Sequence, residues 1–372
     1  MKKILFVAIS ATLLAAGCQK TEIINQVAEP SLTFTTGAKK LTKASGDPAK
    51  AEQPADNANY NLEAQDFRVW VYGEEDFTHT QGDDTQGYDG MLNLEVEYDK
   101  ENESWGTTSQ HFWPGKDKNL IFYAVSASKT FMGQEVSPVA PAGVSDEPGL
   151  KISDFEIPDQ QYNNDLMVAD YKTQSQTPTV VDLDFRHALS KVAFYFNTIK
   201  AEDINVFVKE VKVKGLQSKG DVTVSYDAQQ QNKATFSWDL DSATEGFAYT
   251  DDYVTPYTGT NFPAKIDGKN VTDNDKLGAM ELTAEQPNSH HFTTWLVLPQ
   301  SVANKTVEIT YLMNERQFVA EFPLEGSSTK LPSSKWDPNQ YIKYTVTIAP
   351  NLITFNPSVE EWKKADEITD QN

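Results

Sequence analysis

Cysteine is almost absent from this chain. Cys18 is the only one in 372 residues, so neither an intrachain disulfide framework nor a multi-cysteine zinc or iron–sulfur site can form. Arginine is nearly as scarce: Arg68, Arg186 and Arg316 are the whole supply. Lys+Arg total 32 against 54 Asp+Glu, a formal net charge of −22. Nucleic acids and anionic headgroups attract clustered Lys and Arg, so this balance argues against both, and the acidity reads as solubility. The five histidines (His79, His111, His187, His290, His291) form no HExxH arrangement, and neither a P-loop nor a GxGxxG occurs. There is no GxSxG elbow, no repeat of 20–50 residues and no long amphipathic helix pattern. The chain does have 11% aromatic and 39% hydrophobic residues, too many for a disordered chain. At roughly 150 residues per domain, two domains are expected.

The N-terminus reads as a targeting device. Lys2 and Lys3 precede an apolar run from Ile4 to Ala16, 13 residues long, well short of the ~20 that span a bilayer as a helix. A basic start, a short apolar run and small residues describe a secretory signal. Ala15, Ala16 and Gly17 lead directly into Cys18. This resembles the bacterial lipobox, with Ala15 in the place of the usual Leu. The resemblance implies cleavage between Gly17 and Cys18, lipidation of Cys18, and three acyl chains in the outer membrane. Each buried CH₂ contributes ~0.8 kcal/mol, so several chains hold where one does not. The alternative is an ordinary secretory signal with a chance cysteine.

Residues 18–30 read as a tether. Leu32 to Phe34 is a short strand-like piece, followed by the basic patch Lys39, Lys40, Lys43 and a polar, Pro-containing loop with Lys50. Period-two alternation then dominates. Phe67, Val69 and Val71 share one face, and Arg68, Trp70 and Tyr72 the other. Leu92, Leu94, Val96 and Tyr98 alternate with polar residues. So do Val181–Phe185, Val192–Phe196, Val211–Val213, Val222–Tyr226, Val307–Tyr311, Phe318–Phe322 and Ile342–Ile348. Many short strands between Gly, Pro, Asn and Asp turns indicate an all-β chain of β-sandwiches. The polar stretch 173–179 is the expected boundary between a sandwich over 31–176 and a second over 177–372. Residues 245–259 and 266–286 read as long excursions from the second.

The chemistry candidates are few. Gly82–Gly90 and Asp273–Gly278 both fail the calcium-loop spacing and read as solvated turns, with a weak surface calcium site as the alternative. A glycosidase needs two carboxylates about 5–10 Å apart, which spacing alone does not supply. His290 and His291, adjacent on a strand, point to opposite faces. His187 reads as a structural hydrogen-bonding group. Trp70, Tyr72, Trp105, His111, Phe112 and Trp113 could form a sugar platform, but core and strand packing is the favoured reading. No catalytic residue, metal site or cofactor is expected.

Several stretches resemble one family. Residues 184–192 (DFRHALSKV) are similar to the F-x-H-A-L-[SA]-K-[VL] stretch of fimbrillin-like proteins. Residues 105–124 resemble that family's W-x-T…[YF]-W-P…[LI]-x-F-[YF]-A segment. Residues 336–344 resemble W-x-P-G-x-x-Y-x-Y, with Asn339 for the usual Gly, and residues 353–362 resemble I-x-F-x-x-x-V-x-x-W. The family builds type V pili of Gram-negative gut and oral anaerobes. The resemblance implies two tandem transthyretin-like β-sandwiches and a non-enzymatic surface lipoprotein that assembles with other fimbrial subunits by strand exchange. Host or bacterial surface ligands follow as partners, and nucleic acid does not. It also implies trimming after the first strand, for which Lys40, Lys43 and Lys50 are the candidates because no arginine precedes Arg68. The rival readings are a surface glycan-binding β-sandwich lipoprotein and, less favoured, a secreted glycoside hydrolase.

Overall fold

The computed structural model describes residues 31–36, 66–73, 88–126, 136–139, 149–157, 165–199, 204–252, 259–272, 279–283, 290–325, 334–350 and 352–361, except 100, 103, 116, 228, 230, 231 and 245. Among the described residues strands make up 67% against 3% helix, and the fold is all-β. Cys18, Gly17, Lys40, Lys43, Lys50 and most of both candidate calcium loops lie outside the described residues.

Sheet I runs in the order Val180–Leu183, Thr33–Thr36, Ser104–Gly106, Leu94–Asp99, Phe67–Gly73, Asn119–Ser126, Met167–Ala169, Phe185–His187, with Lys172–Ser175 also paired to Asn119–Ser126. Its two end strands are separated in sequence only by Asp184. The sheet therefore curls until its ends meet, which removes most of the open edge. Inside the curl lie Phe34, Phe67, Val69, Val71, Val96, Trp105, Trp113, Phe122, Val181 and Leu183. The other face, with Trp70, Tyr72, Ile121 and Tyr123, packs in a second cluster that includes Leu150, Ile152, Phe155, Val222, Val224 and Tyr226.

Those last residues belong to sheet II, ordered Lys233–Leu240, Lys219–Asp227, Gly149–Glu156, Val136–Val139. Lys219–Asp227 pairs antiparallel with Gly149–Glu156, so strands from both sides of residues 173–179 share one sheet. Sheet III is His290–Val297, Ser190–Thr198, Gln340–Ala349, Leu352–Glu361, and sheet IV is Phe247–Asp252, Val206–Leu216, Thr306–Met313, Arg316–Pro323. Val192, Phe194, Phe196, Tyr344 and Val346 of sheet III share a cluster with Val208, Val211, Val307 and Ile309 of sheet IV.

Local chemistry explains the details. Leu92 alternates with Leu94 in sequence, yet the strand begins at Leu94 because Asn93 sits at φ 58°, a left-handed conformation that Asn tolerates. The stretches expected as excursions contribute the strands Phe247–Asp252 and Met280–Leu282, both paired to Val206–Leu216. Asn339 has φ 60°, the turn geometry for which Gly would otherwise serve.

Candidate functional site

The candidate site is the seat of the first strand. Thr33–Thr36 is four residues long. It pairs in parallel with Val180–Leu183 over its whole length and antiparallel with Trp105 through Phe34 alone. Alternation sends Leu32, Phe34 and Thr36 inward and leaves Thr33 and Thr35 in solvent. The Phe34 ring meets Phe67 edge-on at 6.0 Å and Phe122 at 6.3 Å. Phe67 in turn packs on Trp105 at 4.9 Å and Phe185 at 5.2 Å. One further backbone bond, from Leu32 N–H to the His111 carbonyl at 2.8 Å, fastens the strand's start.

The walls of this seat are braced without the strand. The Trp113 indole N–H donates to the Thr179 carbonyl at 3.1 Å, tying one wall to the other. The Gln174 amide donates to the carbonyls of Pro178 and Val180. The Tyr88 hydroxyl donates to the Phe112 carbonyl at 2.7 Å. His111 Nδ1 lies 3.0 Å from an Asp89 carboxylate oxygen. A short insert with few bonds of its own thus rests in a frame that carries its own hydrogen bonds.

The stretch 184–192 forms the seam between sheets I and III. Arg186 grips Asp170 with two hydrogen bonds of 2.6 and 2.8 Å, the planar fork that guanidinium favours. Asp170 also accepts the Ala234 N–H at 2.9 Å, drawing sheet II onto the seam. His187 Nδ1 bonds the fully buried Asp165, which makes it the structural group expected. Ala188 accepts from the Trp238 indole and Leu189 accepts from the Asn339 N–H. The Ser190 hydroxyl donates to the Asp337 carbonyl. Two of the motif stretches, 184–192 and 336–344, therefore meet. At the second, buried Trp336 donates to the Tyr344 hydroxyl, which donates to the Leu324 carbonyl.

The candidate aromatic platform does not form. Trp70 and Tyr72 lie in one cluster, Trp105 and Trp113 in the other, all buried, and Phe112 is the exposed one at 39%. Neighbouring aromatics on these strands face opposite layers, and both layers are covered. One acidic group was not singled out by sequence: oxygens of Asp66, Glu95 and Glu97 lie within 4.8 Å of one another. Asp66 accepts the Tyr98 N–H at 3.3 Å, and Arg68 stands 3.9 Å from Glu95, which offsets part of the repulsion. Only strand pairing brings Asp66 beside Glu95 and Glu97, so no local spacing signals it.

Comparison with known proteins defines the class. The model of the fimbrillin-like family matches residues 55–362, and the chain belongs to that family. Among solved structures, a fimbrial protein from Bacteroides vulgatus superposes with TM-score 0.54 at 16% identity, covering 90% of this chain and 99% of its own. A candidate cell adhesion protein from Bacteroides uniformis gives TM-score 0.46 at 15% identity, with 90% and 98% coverage. A fimbrial assembly protein from Parabacteroides distasonis gives 0.38 at 10%, with 89% and 99% coverage. At these identities the likeness concerns fold. A search among curated proteins finds no match.

Proposed function

We propose that this chain is a structural or adhesive subunit of a cell-surface fimbria, a non-enzymatic protein that associates with other fimbrial subunits. Family membership and the fimbrial and adhesion proteins of like fold support the fimbrial reading. The finer proposal is export as an outer-membrane lipoprotein held through Cys18, cleavage between Gly17 and Cys18, and joining of subunits by strand exchange. The two proposed sandwiches, over 31–176 and 177–372, would be joined by the pairing of Gly149–Glu156 with Lys219–Asp227.

The observation that carries the reading is the first strand's seat. The strand adds two apolar side chains and a short ladder to walls that are tied together independently by Trp113, Gln174 and Tyr88. Removing it would expose unpaired backbone on Val180–Leu183 and an apolar slot beneath, the two features that an added strand satisfies. Trimming at Lys40, Lys43 or Lys50 would release it. N-terminal sequencing of the surface form tests this. A terminus at Leu41, Ala44 or Ala51 supports a trimmed subunit ready to accept a strand. An intact lipidated Cys18 refutes trimming and leaves an anchor that donates a strand but accepts none. Antibody-labelled electron microscopy that finds no fibres bearing this chain would sink the fimbrial reading itself.

A further inference from the structure

A further open edge lies on sheet IV, in a sheet separate from that of the first strand. Arg316–Pro323 is the end strand of that sheet and, among the described residues, pairs only with Thr306–Met313, in unbroken register. Leu324 N–H donates to the Lys305 carbonyl at 2.9 Å, and bonded and non-bonded pairs alternate along an antiparallel ladder. The pairs Thr310–Val319, Glu308–Glu321 and Leu312–Gln317 are therefore non-bonded, and the N–H and C=O groups of Gln317, Val319 and Glu321 point outward. Among the described residues nothing bonds these outward groups. Their side chains are exposed, Val319 at 62%, while Phe318, Ala320 and Phe322 turn towards the core.

Edge strands in soluble proteins are ordinarily blunted by Lys, Pro or bulges. Here there is no Lys, no bulge, and one Pro at the final position. We propose that this edge pairs antiparallel with the same strand of a second copy of the chain, about a two-fold axis through Val319. Parity restricts the register to steps of two residues, and two side-chain features then disfavour the steps towards the C-terminus. Centred on Val319, every outward residue meets an outward residue: Val319 meets itself and Gln317 meets Glu321 of the second copy, each pair exchanging both backbone bonds. A shift by two residues towards the C-terminus sets Gln317 against Pro323, which has no N–H to give. A further shift sets Glu321 against Glu321, and like charges directly opposite destabilise a pair.

The side chains agree with the same register. On the solvent face the Gln317 amide reaches the Glu321 carboxylate, and the two Val319 side chains cover each other. On the core side Phe318 meets Ala320, large against small. Arg316 and Glu321 leave the strand with no net charge, so the contact itself brings together little of the chain's −22. The two sheets would become one continuous sheet across the dimer, an isologous interface. This pairing uses neither the first strand nor its seat, so it stands or falls separately from strand exchange.

Sedimentation velocity and light scattering on the purified full chain, over a range of concentration, test the proposal. The expected result is a reversible dimer that strengthens with salt, because salt screens the repulsion between two acidic subunits. Val319→Pro removes the central outward N–H and no bond of the internal ladder. Val319→Lys keeps the N–H but sets two ammonium groups against each other. Each is expected to weaken dimerisation by about tenfold or more with an unchanged circular dichroism spectrum. The lysine variant decides if the proline variant misfolds. Phe112→Ser, at an exposed apolar residue bridged to Ser31 and outside sheet IV, should leave the dimer intact. A parent chain that stays monomeric, a dimer untouched by Val319→Lys, or one lost equally in Phe112→Ser overturns the proposal.

Discussion

Phe34→Ala is the sharpest test of how the first strand is held. Leu32 and Phe34 are its inward apolar residues, with Phe34 only 5% exposed. Burying two such side chains contributes about 1.5–3 kcal/mol each, and each net hydrogen bond about 1 kcal/mol. Against this, ordering each residue's backbone costs about 1–2 kcal/mol. The strand is therefore held by a small surplus. Truncating a buried Phe costs about 3–5 kcal/mol, including the loss of both edge-on ring contacts to Phe67 and Phe122. That exceeds the surplus, so the strand should leave its seat while the braced walls stay folded. Amide exchange in 31–36 should then rise to the rate of an unprotected chain, a gain set by the surplus that is lost, about tenfold for each 1.4 kcal/mol. Hydrogen exchange by mass spectrometry should show this, with exchange in Phe67–Gly73 unchanged. Thr35→Ala, on the solvent side, should change little. Unchanged exchange at 31–36 in Phe34→Ala refutes the reasoning, as does equal acceleration throughout, which would make the strand integral to the core.

Burial holds the Tyr123, Tyr226 and Tyr344 phenols above their usual value, so the stability they confer is present below about pH 10 and is lost as pH rises beyond it. Tyrosinate absorbance from these residues should appear only together with unfolding. Asp221 is held below its usual value, first by the Asp154 N–H and then by Lys151. Its stabilisation is therefore present above about pH 3.9 and fades as pH falls through the lower folded value, and a carboxyl carbon titration by NMR should place Asp221 below an ordinary Asp. His187→Ala leaves the Asp165 carboxylate buried without its partner, and a cost of about 3 kcal/mol or more should appear as a lower denaturant midpoint.

Much of the fold was legible because alternation is a local signal. Phe67, Val69 and Val71 do face one core while Trp70 and Tyr72 face another, as their period of two requires. The Asn339 turn was legible too, since few residues other than Gly and Asn accept its φ of 60°. Alternation does not tell whether the second face of a strand meets water or another layer. Trp70 and Tyr72 alternate with apolar neighbours in the way a solvent-facing platform would, yet sheet II covers them. The same limit hid the pairing of Lys219–Asp227 with Gly149–Glu156, which carries strands across the polar stretch 173–179.

The site was legible in composition but not in pairing. A strand-like Leu32–Phe34 beside a basic patch can be read from sequence; its parallel partner Val180–Leu183 cannot, because no local pattern fixes a register over so long a separation. The frame's braces are equally non-local. Trp113 and Thr179 lie 66 residues apart, and Tyr88 and Phe112 lie 24 apart. The first strand's seat and the sheet IV edge differ in kind for the same reason. The first strand's seat depends on contacts between distant residues, so substitutions at Trp113 or Gln174 should loosen the seat without touching the strand's own sequence. The Arg316–Pro323 edge depends on one hairpin, and its outward residues follow from the turn at Asn314–Glu315 and the parity of a single ladder. An insertion of one residue in that turn would exchange outward and inward residues along the edge, turning Phe318 and Phe322 away from the core, and is expected to destabilise sheet IV rather than merely abolish pairing.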